Sequence, residues 1–111
     1  MMADLKGLNV GEFGKTVSLY CRWNGIVQDL SNYSTSAGYV YMVKCWSPKP
    51  VKEISFPAGP TSTANEAAGI VQFSPSSDKY FDRPGIWEGQ IFIEGPGVYI
   101  KSDRFTIEVG E

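Results

Sequence analysis

The sequence contains no histidine and only two cysteines in 111 residues. Without histidine the chain lacks the usual base of Ser-His and Cys-His nucleophilic catalysis. Two cysteines alone do not provide the ligand set of an ordinary zinc site. The carboxylates are scattered, and no two of them can be assigned to one pocket. We therefore expect a protein that is not an enzyme and that uses no metal and no cofactor.

Long apolar runs and an excess of basic residues are missing as well. No stretch approaches the roughly 20 apolar residues that span a bilayer, and the N-terminus lacks the apolar segment of a secretory signal. Ten basic and twelve acidic residues give a net charge of -2, which offers no footprint for nucleic acid or an anionic membrane. We expect neither as a partner, and we expect synthesis in a cytoplasm.

The two cysteines, Cys21 and Cys45, are either a free buried pair or one disulfide bridge. Cys21 falls on the inward face of a predicted strand, which is typical of a small buried hydrophobic residue rather than an exposed thiolate. In a reducing cytoplasm two free thiols are the favoured interpretation.

What the chain does have is short apolar segments, punctuated by 12 glycines and 7 prolines. Alternating or β-branched patterns predict strands at 14–23, 39–46, 51–56 and 69–73, then a hairpin over 85–109, with a further short strand within 26–30. The segment TSTANEAAG is long enough for one helical turn only. The pattern predicts a single domain over residues 1–111, all-β, folded as an antiparallel immunoglobulin-like β-sandwich of about seven strands.

The second arm of the hairpin carries an irregularity. Its apolar residues stand at even positions before Ser102 and at odd positions after Asp103. A slip of one residue is what a β-bulge produces, because the extra residue turns all later side chains to the other face. We therefore predict a bulge near Ser102-Asp103.

Two of the predicted strands are apolar on both faces. If Tyr41, Val43 and Cys45 point inward, Val40, Met42 and Trp46 point outward; in the first hairpin arm, Ile86 and Phe92 do so. In an immunoglobulin-like sandwich these two strands are neighbours. The sequence thus predicts a partner-binding apolar face that contains Val40, Met42, Trp46 and Phe92. The alternatives are a misassigned phase, or a loop or the N-terminal segment covering the face.

Loop aromatics give a second hypothesis. Tyr33, Tyr80 and Phe81 fall in or beside predicted loops, and aromatic rings in loops can stack against a sugar. A carbohydrate-binding module is therefore the alternative function. Such residues can equally cover the ends of a small core.

The segment AAGIVQFSPSSDKYFDRPGIWEGQIFIEGPGVYIKSDRFTIEVGE, residues 67–111, resembles the C-terminal half of immunoglobulin-like domains in tailed-phage virion proteins, such as the N-terminal domain of phage baseplate upper proteins. That family has a Gly-led strand, a polar loop, a Gly-x-aromatic-x-small motif, a turn and a Ser-x-x-Phe-x-Ile-x-Val strand. The matching positions are Gly69 to Phe73, Gly85, Trp87, Gly89, Ser102, Phe105, Ile107 and Val109. Upstream, TVSLYCRWNGIVQDLSNYS is similar to a family strand and loop, with Val27 and Leu30 in the matching places.

This resemblance implies an assembly role in a phage particle and no catalysis. The implied partners are other virion proteins, with a homo-oligomer as a further option, and the implied location is the virion after synthesis in the host cytoplasm. The sequence stops at Glu111, just after the last predicted strand and without a stalk or receptor-binding region. A decoration, neck, tail or baseplate accessory is therefore the expected kind of component.

Overall fold

A computed structural model describes residues 5–77 and 79–111, with side chains from Leu8 onward. The all-β prediction is confirmed: these residues form ten strands, one short helix and two 3-10 turns. The strands are β1 (Leu5–Asn9), β2 (Val17–Tyr20), β3 (Arg22–Trp23), β4 (Ile26–Val27), β5 (Val40–Trp46), β6 (Glu53–Ala58), β7 (Ile70–Phe73), β8 (Gly85–Gly95), β9 (Val98–Lys101) and β10 (Phe105–Gly110). The helix α1 is Thr63–Ala68, and the turns are Ser31–Tyr33 and Thr35–Ala37.

The strands outnumber the predicted seven because two predicted strands are each divided. The segment 14–23 breaks at Cys21 into β2 and β3, and the last arm breaks after Lys101 into β9 and β10. The strand β1 was not predicted, since it lies in the N-terminal segment that carried no alternating pattern. A strand that pairs with the far end of the chain has no local signal in the sequence.

The main sheet has the order β1-β10-β8-β5-β6, and β9 pairs with β8 beyond the end of β10. Its neighbours run antiparallel, except that β1 and β10 are parallel. The parallel pair departs from the purely antiparallel prediction. The main sheet is therefore mixed, with β5 and β8 at its centre.

The other strands form two small pairs, β2 with β7 and β3 with β4. The β2–β7 pair packs against the main sheet, and the rings of Phe56 and Phe73 stack with centroids 4.9 Å apart. The shared core includes Leu19, Val71 and Phe73 from the small pair and Val43, Trp87 and Ile91 from the main sheet. The main sheet and the β2–β7 pair thus bury their apolar faces in one core.

Cys21 and Cys45 are free thiols buried in this core, in agreement with the favoured interpretation. Removal from water disfavours a thiolate. Burial accordingly raises the pKa of Cys21 to about 11 and the pKa of Cys45 to about 12. Neither group is suited to act as a nucleophile at neutral pH.

The predicted bulge is confirmed between β9 and β10. Phe92 is opposite Lys101 and Gly89 is opposite Phe105, so three steps along β8 face four steps along the other arm. Ser102 fills the gap: its N–H donates to the Ile91 carbonyl, and its Oγ accepts from the Ile91 N–H at 2.9 Å. The side chain therefore replaces a backbone acceptor that the bulge displaces.

Asp103, the next residue of the bulge, holds the β3–β4 turn. Its carboxylate accepts hydrogen bonds from the backbone N–H groups of Asn24 at 3.1 Å and Gly25 at 2.7 Å. Both turn residues have positive φ, 52° and 78°, as a two-residue type I′ hairpin turn requires. The predicted Asn-Gly turn is thereby fixed to the main sheet.

The helix α1 connects β6 to β7 and is limited to six residues. Ser62 caps its start by accepting from the Asn65 N–H at 3.1 Å, and Gly69 ends it at φ 75°. No helix in the described ranges is long and apolar enough to cross a membrane.

Candidate interaction face

The candidate face is the outer side of the central strands β5 and β8. These strands are antiparallel neighbours, with Met42 directly opposite Phe92 and Val40 opposite Glu94. Their alternate residues fill the core, namely Tyr41, Val43 and Cys45 from β5 and Trp87, Ile91 and Ile93 from β8. Because successive side chains in a strand point to opposite faces, the intervening residues point outward. The predicted phase and the predicted pairing of these two strands are confirmed.

Val40 and Met42 are the exposed apolar part of this face, with 65% and 39% of their surface in contact with solvent. Together with Phe92 and Tyr99 they line an open cleft of about 540 Å³. The remaining lining residues are Gly38, Lys44, Glu94, Gly95 and Pro96. The cleft is therefore apolar at its centre and charged at its margins.

Phe92 does not have the expected exposed position. It points outward, but only 9% of its surface is accessible. The Tyr99 ring stacks against it with centroids 6.2 Å apart, and the Lys44 Nζ lies 5.1 Å from its centroid. Phe92 thus forms the floor of the cleft, and only the groups around it are open to direct contact.

Trp46 also differs from the prediction, because it does not join the same cluster. It lies four residues beyond Met42, roughly 13 Å along the strand. Its Nε1–H donates to Glu53 Oε1 at 2.9 Å, and the Arg104 guanidinium lies 4.5 Å from its ring centroid. Trp46 is half-buried and lines a separate cleft of about 420 Å³ that also contains Val51 and Ile86. The single predicted patch is in fact two apolar clusters.

Two residues of the face were missed by the sequence reasoning, Tyr99 and Lys101 on β9. The hairpin register places Tyr99 opposite Glu94 and Lys101 opposite Phe92. A signal was present in the sequence, since the two-residue connection Pro96-Gly97 fixes which residues of the arms are opposite each other. Combining this turn with the outward phase of Phe92 would have added both residues to the face.

The loop aromatics are part of the core and its edges. Phe81 is 1% exposed, and its ring centroid lies 5.7 Å from Phe56 and 4.9 Å from Trp87. The same Phe56 ring contacts Tyr80 at 4.8 Å. Because Phe81 is enclosed, the expectation that it can stack against a sugar is wrong.

Tyr33 belongs to a different aromatic cluster. Its ring makes edge contacts with Trp23 at 5.9 Å and Tyr39 at 5.5 Å, and its carbonyl accepts from the Tyr41 hydroxyl at 2.6 Å. Tyr33 is half-buried. The three loop aromatics therefore do not form one open platform.

Nothing in residues 5–77 and 79–111 brings together three histidine, cysteine, aspartate or glutamate side chains that can hold a metal ion. The chain matches no family model, and no curated protein is significantly similar to it.

Proposed function

We propose that the protein is a non-enzymatic structural component of a bacteriophage particle, an immunoglobulin-like β-sandwich that docks on other virion proteins through the outer face of β5 and β8. The observation that carries the proposal is the exposure of Val40 and Met42 above Phe92, at the centre of the main sheet. Contiguous apolar surface of this kind is typical of protein interfaces. The protein would act in the virion after its synthesis in the host cytoplasm.

Two further observations support the sandwich part of this proposal. The strands corresponding to the third and sixth of the expected order, β5 and β8, pair side by side. The β2–β7 pair contributes to the same core as the main sheet. The phage assignment is supported by the resemblance of residues 67–111 to immunoglobulin-like domains of virion proteins.

Docking works in this proposal by removing the apolar centre of the cleft from water. Burying one such side chain fully is worth about 1.5 to 3 kcal/mol. For the exposed 65% of Val40 and 39% of Met42, burial contributes about 2 to 3 kcal/mol, or about 30- to 150-fold in affinity. This contribution is large enough to decide whether the protein is retained on a particle.

The test is the double variant Val40→Ser/Met42→Ser, assayed by how much of the protein co-sediments with particles assembled in the host. We expect retention to fall sharply, with an unchanged circular dichroism spectrum. The matched control is Ile26→Ser/Val27→Ser on β4, because these two residues are 65% and 40% exposed. Equal retention of wild type and of the Val40/Met42 variant would refute the docking role of this face.

A further inference from the structure

Two lysines converge on the floor of the cleft from opposite sides. The Lys44 Nζ on β5 lies 5.1 Å from the Phe92 ring centroid, and the Lys101 Nζ on β9 lies 6.0 Å from it. Lys101 also lies 5.9 Å from the Tyr99 centroid. A ring face attracts a cation, which favours the position of both ammonium groups beside Phe92. The cleft thus holds positive charge beside apolar surface.

These lysines differ from most other cations of the described chain. Lys52, Arg83 and Arg104 each lie within 3.1 Å of a carboxylate oxygen, as does Lys15. No described carboxylate comes within 4.0 Å of Lys44 or Lys101. Arg22, Lys49 and Lys79 also form no ion pair with a described carboxylate. Among these unpaired cations, Lys44 and Lys101 are the two that lie beside the Phe92 ring.

Glu94 places a negative charge at one end of the cleft. It lies two residues from Phe92 along β8, roughly 7 Å away, opposite both Val40 and Tyr99. It is exposed and forms no ion pair with any described cation. The cleft is therefore negative at the hairpin end and positive at the end near Lys44.

We infer that this cleft binds an acidic segment of a partner protein, which inserts an apolar side chain against Met42 and Phe92 and places carboxylates beside Lys44 and Lys101. The inference rests on the proposed docking function and specifies the chemistry of the partner. Carboxylates can form charge-assisted hydrogen bonds with both ammonium groups. Glu94 disfavours the reversed orientation, because it would repel the same carboxylates.

The experiment selects a random displayed peptide library on the immobilised wild-type protein, with counter-selection on the variant Lys44→Gln/Lys101→Gln. We expect the enriched peptides to carry aspartate or glutamate within about three residues of a large apolar residue. A synthetic peptide of the most enriched sequence is then titrated by calorimetry. Its affinity should fall about tenfold or more in the double variant and should decrease with added salt. The control Lys49→Gln/Lys79→Gln should retain full affinity.

Several outcomes would overturn the inference. They are the enrichment of neutral or basic peptides, the absence of any enriched peptide, and equal affinity for the wild type and the Lys44/Lys101 variant. Light scattering that shows an oligomer dissociated by Met42→Asp would also overturn it, because the occupant would then be a second copy of this chain.

The peptide assay tests the acidic partner and the particle assay tests the virion role, so either proposal can be refuted without the other. If acidic peptides bind through the lysines while Val40→Ser/Met42→Ser is still retained on particles, the chemistry of the cleft stands and the virion role fails. If retention is lost while acidic peptides do not bind, the virion role stands and the acidic partner is wrong.

Discussion

The substitution Ser102→Ala should destabilise the fold far more than the loss of one hydroxyl from a surface would. Ser102 is 5% exposed, and its Oγ accepts from the buried Ile91 N–H at 2.9 Å while donating to the Asp103 carbonyl at 2.8 Å. Alanine leaves the Ile91 N–H without this acceptor, and an unsatisfied buried donor costs about 1 to 3 kcal/mol. We expect the free energy of unfolding to fall by about 2 kcal/mol, which lowers the melting temperature by roughly 10 °C.

Urea unfolding measures this change directly. The midpoint should fall by about 1 to 2 M with an unchanged slope, since the surface exposed on unfolding stays the same. The exposed Ser55 of β6 gives the matched control, because Ser55→Ala should change stability by less than about 0.5 kcal/mol. In hydrogen exchange, the Ile91 amide should lose protection in the Ser102 variant. A midpoint no lower than that of the Ser55 control would refute the structural role of the Ser102 hydroxyl.

Two further predictions concern the core. Gly89→Ala should lower the melting temperature strongly, because an added Cβ would overlap the Phe105 ring, whereas Gly59→Ala meets only ordinary contacts and should be tolerated. Burial raises the pKa of Cys21 to about 11 and of Cys45 to about 12, so the unfolded chain loses these protons first as pH rises above about 9. The free energy of unfolding should then fall between pH 9 and 11, and denaturant titrations of Cys45→Ala should show a shallower decline. If the free energy of unfolding of Cys45→Ala falls as steeply with pH as that of the wild type, the raised pKa of Cys45 does not contribute to this pH dependence.

The parts of the fold that the sequence predicted are those with a local pattern. The strand at Val40–Trp46 and its inward residues followed from β-branched and aromatic composition with one polar position at Lys44. The Asn24-Gly25 turn and the bulge at Ser102-Asp103 followed from positive-φ preferences and from a change of apolar phase. Each signal lies within a few residues of the feature that it predicts.

The parts that were missed depend on residues far apart in the chain. The strand β1 exists through parallel pairing with β10, about a hundred residues away. Trp46 is partly covered by Glu53 on β6 and by Arg104 in the segment before β10. A strand pattern gives the face on which a side chain lies, but not the neighbours that cover it.

The bulge links the core to the candidate face. Along β9 the odd positions Tyr99 and Lys101 are exposed beside the cleft, and along β10 the odd positions Phe105 and Ile107 are buried. In a regular strand all of these positions would share one face. The single extra residue at Ser102-Asp103 reverses the facing, so one arm of the hairpin supplies a cation and an aromatic ring to the cleft and then fills the core. The Ser102 hydroxyl, which accepts from the Ile91 N–H, therefore stabilises the change of facing between the cleft residues of β9 and the core residues of β10.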